Sequence, residues 1–471
     1  MTTLRRSFSS LSVRNYRRYF AGQVVSLAGN WMQIVAETWL VLRLTNNGAL
    51  VGLAAALQFL PIMLFGAWGG LLADRLPKRR LLMGTQTLMA LPALTLFALV
   101  TTGTVQTWQV LALILVRGSV NAVDNPARQS FVVEMVGADR VVNAVSLNSV
   151  IVHTARIAGP AAAGLVIALA GVGPCFLVNA LSFAAMLVAL RGMDPRRLHT
   201  GPPAQRAPGQ LREALRYVWA TPALRVPLLM MAVVGTLSFN FQVLLPLLAR
   251  FTWHGSAATY AVLTSAMGAG SVLGALASGA RGRVSPLLLA GAAVAFGSLT
   301  LLAAGAPVFA LQVAVLVPLG AASVTFAAGI NSTLQLAADP AMRGRVMALY
   351  SVVFLGSTPI GAPLIGLVAE SAGPRAGLVV AGLAALATGV VALGYSGRAQ
   401  LRVRLAEGGL LALQEADGVG HRLREVAAAD RHRAGVRLAV GLQRRVSRRG
   451  HDEQPGERRR GRGDHQTASH R

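Results

Sequence analysis

Five polar side chains near the start of the chain fall at strict helical spacing. Gln23, Ser26, Asn30, Gln33 and Glu37 follow one another at intervals of three, four, three and four residues. That places all five on one stripe of a helix. The residues between them are mostly Val, Leu, Ala, Trp and Met. Desolvation disfavours a charged carboxylate, so an acid on such a stripe can trade protons or contact a cation. The plainer reading is a structural acid paired with an arginine, or one reaching an aqueous boundary near Arg43.

Two later stripes carry the complementary charge. Arg117, Asn121, Asp124 and Arg128 are spaced by four, three and four residues, and Ser146, Ser149, His153 and Arg156 by three, four and three. Arginine or aspartate at the centre of a lipid-embedded helix costs about 2.5–3.5 kcal/mol on insertion scales, and such groups usually face a bundle interior or an aqueous cavity. Arg117 and Arg156 therefore need acids or carbonyls nearby, and Glu37 and Asp124 are the acids available. Either the arginines bind a ligand and modulate Glu37, or they form a static network that fixes helix packing. His153 can titrate near neutral pH, but a lone histidine on an apolar helix more often packs and hydrogen-bonds.

The elements that must hold these groups follow from composition. Hydrophobic residues make up 54% of the 471 and charged residues only 13%, about half the charged content of ordinary soluble domains. The net charge of +26 taken alone points to nucleic acid. On so apolar a chain it fits a multi-pass membrane protein whose arginines mark cytoplasmic loops. Stretches of about 20 apolar residues read as membrane helices. Twelve are expected, near 19–42, 49–72, 81–101, 107–123, 143–169, 172–190, 225–249, 256–279, 286–304, 307–330, 345–369 and 376–395. With the N-terminus inside, inner loops ahead of the tail, counted with Arg225 and Arg345 at the starts of the spans they lead into, carry 22 basic residues and outer loops 3. This asymmetry predicts both termini in the cytoplasm. No cleavable leader is expected, because no processing site follows the early arginines. The single Cys175 excludes a disulfide and a four-cysteine metal site.

The organisation reads as an N-terminal six-helix half (1–190), a cytoplasmic linker (191–224), a C-terminal six-helix half (225–395) and an Arg-rich tail (396–471). Within the linker, Gln210–Trp219 suits a surface helix with Leu211, Leu215 and Val218 on one side. The tail's composition favours disorder, with a short surface helix possible over Leu401–Leu413. The halves echo one another. Asn125 and Gln129 match Asn331 and Gln335 at an offset of 206, Arg140-Val141 matches Arg345-Val346 at 205, and Gly159 and Gly164 match Gly361 and Gly366 at 202. Parallel repeats of this kind occur in one large transporter class.

One loop is more specific. Gly70-Leu71-Leu72-Ala73-Asp74-Arg75-Leu76-Pro77-Lys78-Arg79-Arg80 joins the second and third spans, as a tight turn with one acid and four cations in seven residues. It resembles the signature loop of the major facilitator superfamily, Gly-x-x-x-Asp-Arg/Lys-x-Gly-Arg-Arg/Lys. Gly70, Asp74, Arg75 and Arg79 match, while Pro77 replaces the usual glycine and Lys78 the usual arginine. The resemblance implies a latch between the halves, with Asp74 drawn to the start of the eleventh span. Arg117 resembles the family's fourth-span arginine, associated with proton transfer. Gly159, Pro160 and Gly164 resemble the fifth-span motif of its exporters. Residues 30–45, Asp124–Gln129 and Arg343–Met347 are similar to the branch that includes the enterobactin exporter and macrolide efflux proteins.

The expectation is an all-α membrane protein of twelve helices in two pseudo-symmetric halves. Its expected work is proton-coupled export of a hydrophobic or amphipathic small molecule, a drug or siderophore. Glu37, Arg117 and Asp124 are assigned to proton coupling. Asn30, Gln33, His153 and Arg156 are assigned to the substrate cavity, and Gly70, Asp74, Arg75 and Arg79 to a cytoplasmic gate. No cofactor beyond the proton gradient is expected. A monomer in the bacterial inner membrane, without nucleic acid, is the expected state. An uptake permease or a non-transporting receptor of the same fold are the alternatives. An enzyme is not expected, since His153 has no partner at ligand spacing, and no phosphate-binding Gly-x-x-x-x-Gly-Lys-Ser/Thr loop occurs.

Overall fold

A computed structural model describes residues 9–199, 210–281, 285–340 and 342–416. The chain divides into two compact units, Met1–Ser396 and Gly397–Arg471. The first is an all-helical bundle among the described residues. Its early helices are α1 (Arg14–Thr45), α2 (Gly48–Arg75), α3 (Lys78–Thr101), α4 (Thr107–Val136), α5 (Val141–Ala170) and α6 (Gly173–Arg191). A short helix α7 (Gln210–Ala220) follows. Then come α8 (Pro222–Leu237), α9 (Phe241–Leu247), α10 (Ala257–Arg281), α11 (Pro286–Ala304), α12 (Phe309–Ala337), α13 (Arg343–Ala372) and α14 (Pro374–Ala416).

Among the described residues, ten stretches are long and apolar enough to cross a membrane. The two long helices outside that set are α1 and α4, which carry the charged stripes. The bundle turns apolar side chains outward as well as inward: Leu169, Val188, Leu276 and Val391 are each more than two-thirds exposed. Such a surface suits lipid rather than water.

Small residues set how closely the helices meet. A Cβ on Gly52 of α2 would stand 2.4 Å from the Ala362 carbonyl oxygen of α13, and one on Gly69 would stand 2.1 Å from the Ala122 carbonyl oxygen of α4. The α10 glycines Gly270 and Gly274 meet the Val317 and Ala321 carbonyls of α12 in the same way. Within a bilayer this close backbone approach supplies much of the association.

The two expected copies of a Gly-rich stretch occupy matching places. Gly159 of α5 packs on Ala28 and Trp31 of α1, and Gly361 of α13 packs on Thr236 of α8. Gly164 meets Ala261 of α10, and Gly366 meets Gly48 of α2. Both helices then end at a glycine with positive φ, Gly171 at 83° and Gly373 at 88°. These two also sit 202 residues apart, a repeat element that sequence inspection passed over. Gln129 donates to Asn125 and Gln335 to Asn331, so that pair recurs too.

Two expectations need correcting, on the seventh stretch and on the linker helix. The seventh apolar stretch is not one helix. It breaks between α8 and α9, where the Ser238 hydroxyl bonds the Ala381 carbonyl and the Asn240 amide bonds the Thr236 carbonyl, at 2.7 Å each. Such side chains compete with the helical ladder. The signature stretch makes a tight turn, as its sequence suggests. Asp74 and Arg75 end α2, Lys78 begins α3, and only Leu76 and Pro77 lie between. The linker helix α7 buries Ala214 and Val218 but leaves Leu215 exposed, and the Leu211 side chain lies outside the described residues. It docks through Glu213 to Arg345 at 2.6 Å and through the Tyr217 hydroxyl to Asp339 at 3.0 Å. Burial pushes the Tyr217 phenol above its ordinary range, which keeps that hydroxyl a donor. The expected surface helix over Leu401–Leu413 lies within the helical run to Ala416, and 417–471 lie outside the described residues.

Contacts between the early helices and α8–α14 gather toward one end of the bundle. The Gly48 amide donates to Glu370, Arg250 reaches Asn46 at 3.5 Å, and Trp39 stacks on Tyr260. The Ser265 hydroxyl bonds the Ile157 carbonyl at mid-helix. We expect Gly52→Ala to lower stability by about 1–3 kcal/mol, as overpacking does. Gly84→Ala, with nothing within 4 Å of the added carbon, should be neutral or stabilising by about 0.5–1 kcal/mol. Thermal unfolding of the detergent-purified variants decides this, and equal effects would contradict the packing argument.

Candidate functional site

The charged stripes of α1 and α4 face each other across a dry interface. Glu37 and Arg117 are 2% and 3% exposed. The Arg117 guanidinium donates Nη2 to Glu37 Oε2 at 2.6 Å and Nε to Oε1 at 3.2 Å, a two-pronged grip. Its Nη1 reaches Asn30 Oδ1 at 3.3 Å. Gln33 Nε2 adds a third donor to Glu37, at 2.6 Å. The chain of bonds continues into α6: Asn179 donates to Gln33, and Ser182 donates to Asn179. The helical spacing of the sequence thus converges on one network, and both oxygens of the buried carboxylate are bonded.

A second pair lies about 10 Å along α4, seven residues at 1.5 Å each. Asp124 pairs with Arg128 one turn on. Asp124 Oδ1 also accepts from Thr85 Oγ1 at 2.5 Å and Gln86 Nε2 at 2.8 Å, both from α3. Arg128 donates in turn to Gln23 of α1. Each acid is therefore neutralised by an arginine on α4, and each arginine also grips the polar stripe of α1.

Beside the second pair lies a cavity of about 160 Å³. It is lined by Gln23, Ser26 and Asn30 of α1, by Asn121, Asp124, Asn125, Arg128 and Gln129 of α4, and by Asn148 and Val152 of α5. Carboxamides dominate its polar surface, so it can both donate and accept hydrogen bonds.

Arg156 does not join either acid. Its guanidinium lies over the Trp31 ring, 5.2 Å from the centroid, and its buried Nε has no hydrogen-bond partner. The expectation that Glu37 and Asp124 would serve Arg117 and Arg156 fails for Arg156, because Arg128 occupies Asp124. The side chains of His153 and Asp74 lie outside the described residues.

The rest of the signature stretch braces the early helices. Gly70 is buried, beside the close approach of Gly69 to α4. Arg79 donates to the Leu190 and Arg191 carbonyls at 2.7 and 3.0 Å, where a cation meets the C-terminal end of α6. Lys78 bridges to Glu134 at 2.6 Å. Arg75 lies in the last turn of α2. Pro160 sits inside α5 between the two close-packed glycines. Sequence reasoning missed Thr85, Gln86, Asn179 and Ser182. The available signal was short polar pairs, Thr85-Gln86 and Asn179 with Ser182 three residues on, inside otherwise apolar spans.

Among the described residues no group of three His, Cys, Asp or Glu side chains could hold a metal ion.

The chain matches known proteins along most of its length. A family described as transmembrane secretion effector matches residues 5–407. The staphyloferrin A transporter of Staphylococcus aureus is 30% identical over 174 residues, which span 36% of this chain and only 44% of that protein. The multidrug efflux pump Tap of Mycolicibacterium fortuitum is 27% identical over 78% of this chain and 92% of its own length. Macrolide efflux protein A of Streptococcus pyogenes is 21% identical over 79% and 93%. Among solved structures, the nucleoside transporter NupG covers 81% of this chain and 98% of its own, with a TM-score of 0.64 and 12% identity. A bacterial homologue of the iron transporter ferroportin, in an inward-facing state, covers 84% and 100%, with a TM-score of 0.63 and 14% identity.

The buried pair yields a stability prediction. Glu37→Ala and Arg117→Ala should each cost about 3–5 kcal/mol, since each strands a buried charge. The double variant should cost less than their sum by about 1–3 kcal/mol. Denaturant unfolding in detergent measures the coupling, and additive losses would dissolve the pair as an energetic unit.

Proposed function

The chain belongs to the transmembrane secretion effector family of the major facilitator superfamily, and from that membership we propose that it is a proton-coupled exporter of a drug- or siderophore-like small molecule. It is a multi-pass membrane transporter and not an enzyme, as are its relatives. In this reading α1–α6 form one half and α8–α14 the other, with α8 and α9 together making one crossing, for twelve in all. The matched glycine contacts and end glycines of α5 and α13 support that division. The loop arginines put both termini in the cytoplasm of a bacterium, in its inner membrane. The transporter works as a monomer and needs no cofactor besides the gradient.

One observation carries the coupling assignment: the buried two-pronged pair of Arg117 and Glu37. The carboxylate accepts from three donors, two of them on Arg117. A proton arriving on Glu37 removes the charge that Arg117 answers and loosens the α1–α4 interface. Asp124 repeats the arrangement toward the cytoplasmic side. With the N-terminus inside, the Gly48–Glu370 and Trp39–Tyr260 contacts seal the outer end, so the cavity belongs to an inward-facing state. Protonation from outside and substrate loading from inside alternate as the halves rock. Asp74 and Arg75 at the end of α2, with Arg79 in α3, form the inner latch that closes when the outer contacts open. Asn30 lines the cavity, and Gln33, His153 and Arg156 are assigned with it to the substrate path. Gly159 and Pro160 keep α5 close to α1 within its half, and the contact of Gly164 with Ala261 of α10 belongs to the seal that opens.

We expect Glu37→Gln to abolish substrate-driven proton release from energised inverted vesicles at unchanged membrane abundance. The amide keeps an acceptor for Arg117 but cannot ionise. A fluorescent ΔpH reporter, read on adding each of a panel of macrolides and carboxylate siderophores, makes the measurement. A wild-type response from the variant removes Glu37 from coupling, and proton movement only in the opposite sense makes the protein an uptake permease.

A further inference from the structure

Five charged residues stand inside the bundle away from helix ends: Glu37 and Asp124 against Arg117, Arg128 and Arg156. The first two arginines consume both acids. Among the described residues the helices after α7 contribute no charge to the interior, since Arg225, Arg250, Arg343, Arg345, Glu370 and Arg375 all lie at or just past helix ends. The interior is left with one uncompensated cation. Among the described residues no carboxylate lies within ion-pair distance of Arg156. Glu134, Asp194 and Glu213 are taken by Lys78, Arg197 and Arg345. Asp339 receives the Tyr217 hydroxyl and Glu370 the Gly48 amide.

Arg156 is also well placed. It lies one helical turn beyond Val152 and two beyond Asn148, both of which line the cavity. Trp31 lies one turn beyond Leu27, another lining residue. Helical spacing thus sets the stacked Arg156–Trp31 pair one turn beyond the cavity's lining residues on α5 and α1. The partnerless Nε is one of the donors that a guanidinium uses to hold a carboxylate two-pronged. The lining adds donors of the same polarity: Asn30 spends its oxygen on Arg117, which leaves its amide hydrogens free to donate. A cationic ligand meets the reverse situation. The single acid on the lining, Asp124, is already bonded to Arg128, Thr85 and Gln86.

Resting on the exporter reading above, we propose that the transported ligand is a carboxylate-bearing anion and that Arg156, backed by the Trp31 ring, is its charge-recognising contact. Discrimination against cations is then a property of the empty protein, set by which arginine lacks an acid.

The test uses three probes of similar apolar size: 2-naphthoate, its neutral methyl ester, and the tetraphenylphosphonium cation. Calorimetry on the detergent-purified full chain should find 2-naphthoate binding at least tenfold more tightly than the ester or the cation. Arg156→Gln should weaken 2-naphthoate at least tenfold and erase the acid–ester difference, while Arg156→Lys retains part of it. Absence of 2-naphthoate binding, equal binding of acid and ester, or an unchanged Arg156→Gln profile overturns the proposal. The comparison of acid with ester on the wild-type chain stands even if Arg156→Gln fails to fold. The exporter reading fails separately. Outward tetraphenylphosphonium transport unaffected by Arg156→Gln keeps the exporter and overturns the anion site. Arg156-dependent acid binding without outward transport keeps the site and removes the exporter.

Discussion

A charge inside a dry helix bundle must be answered where it stands, and the Glu37–Arg117 pair is where this protein meets that constraint. Taking an isolated ion out of water is prohibitive, and a pair repays the cost only with good geometry and satisfied remaining lone pairs. The bundle provides both. Gln33 fills the open position on Glu37, Asn30 fills one on Arg117, and Asn179 then holds Gln33. The polar stripe of α1 exists to complete this one pair and its neighbour at Asp124. That explains why α1 and α4, alone among the long described helices, fall short of the apolarity of a membrane crossing.

The same constraint shapes the packing around the pairs. A network that spans α1, α4 and α6 tolerates little displacement, so the helices that flank it are locked by backbone contact. Gly159 lets α5 touch α1 beside Trp31, and Gly69 lets α2 touch α4 at Ala122. Neither contact involves a side chain that could change charge. The frame therefore stays put while the ion pairs respond to protons or ligand.

Much of this was legible in the sequence because it rests on period. Intervals of three and four residues placed Glu37, Arg117 and Asp124 on facing stripes, and the glycine pairs at an offset of 202 marked matching helices. What period cannot give is the choice of partner. Arg128 lies one turn from Asp124 on the same helix and reaches it without crossing an interface, so the acid expected to serve Arg156 was already taken. The break between α8 and α9 was hidden for a similar reason. Ser238 and Asn240 read as ordinary polar residues in an apolar run, and only the Ala381 and Thr236 carbonyls, brought near by packing, make them interrupt the helix. Thr85, Gln86, Asn179 and Ser182 escaped notice because each pair is too short to form a stripe.

The distribution of charge also divides the labour of the bundle. Among the described residues every charged group inside it belongs to α1, α4 or α5, and none to the helices after α7. In the proposed cycle the early helices sense the proton and the ligand, while the later ones supply a surface against which they close. The closing contacts suit that role. The Gly48 amide meets Glu370, Gly52 meets the Ala362 carbonyl, and Gly366 meets the Gly48 carbonyl, so the seal is made largely of backbone. A backbone seal is indifferent to the protonation of Glu37, which leaves the balance between open and closed ends to the ion pairs and to whatever anion Arg156 holds. Moving one more acid into the later helices would spoil this arrangement, since it would offer Arg156 a permanent partner and remove the only uncommitted charge among the described residues of the interior.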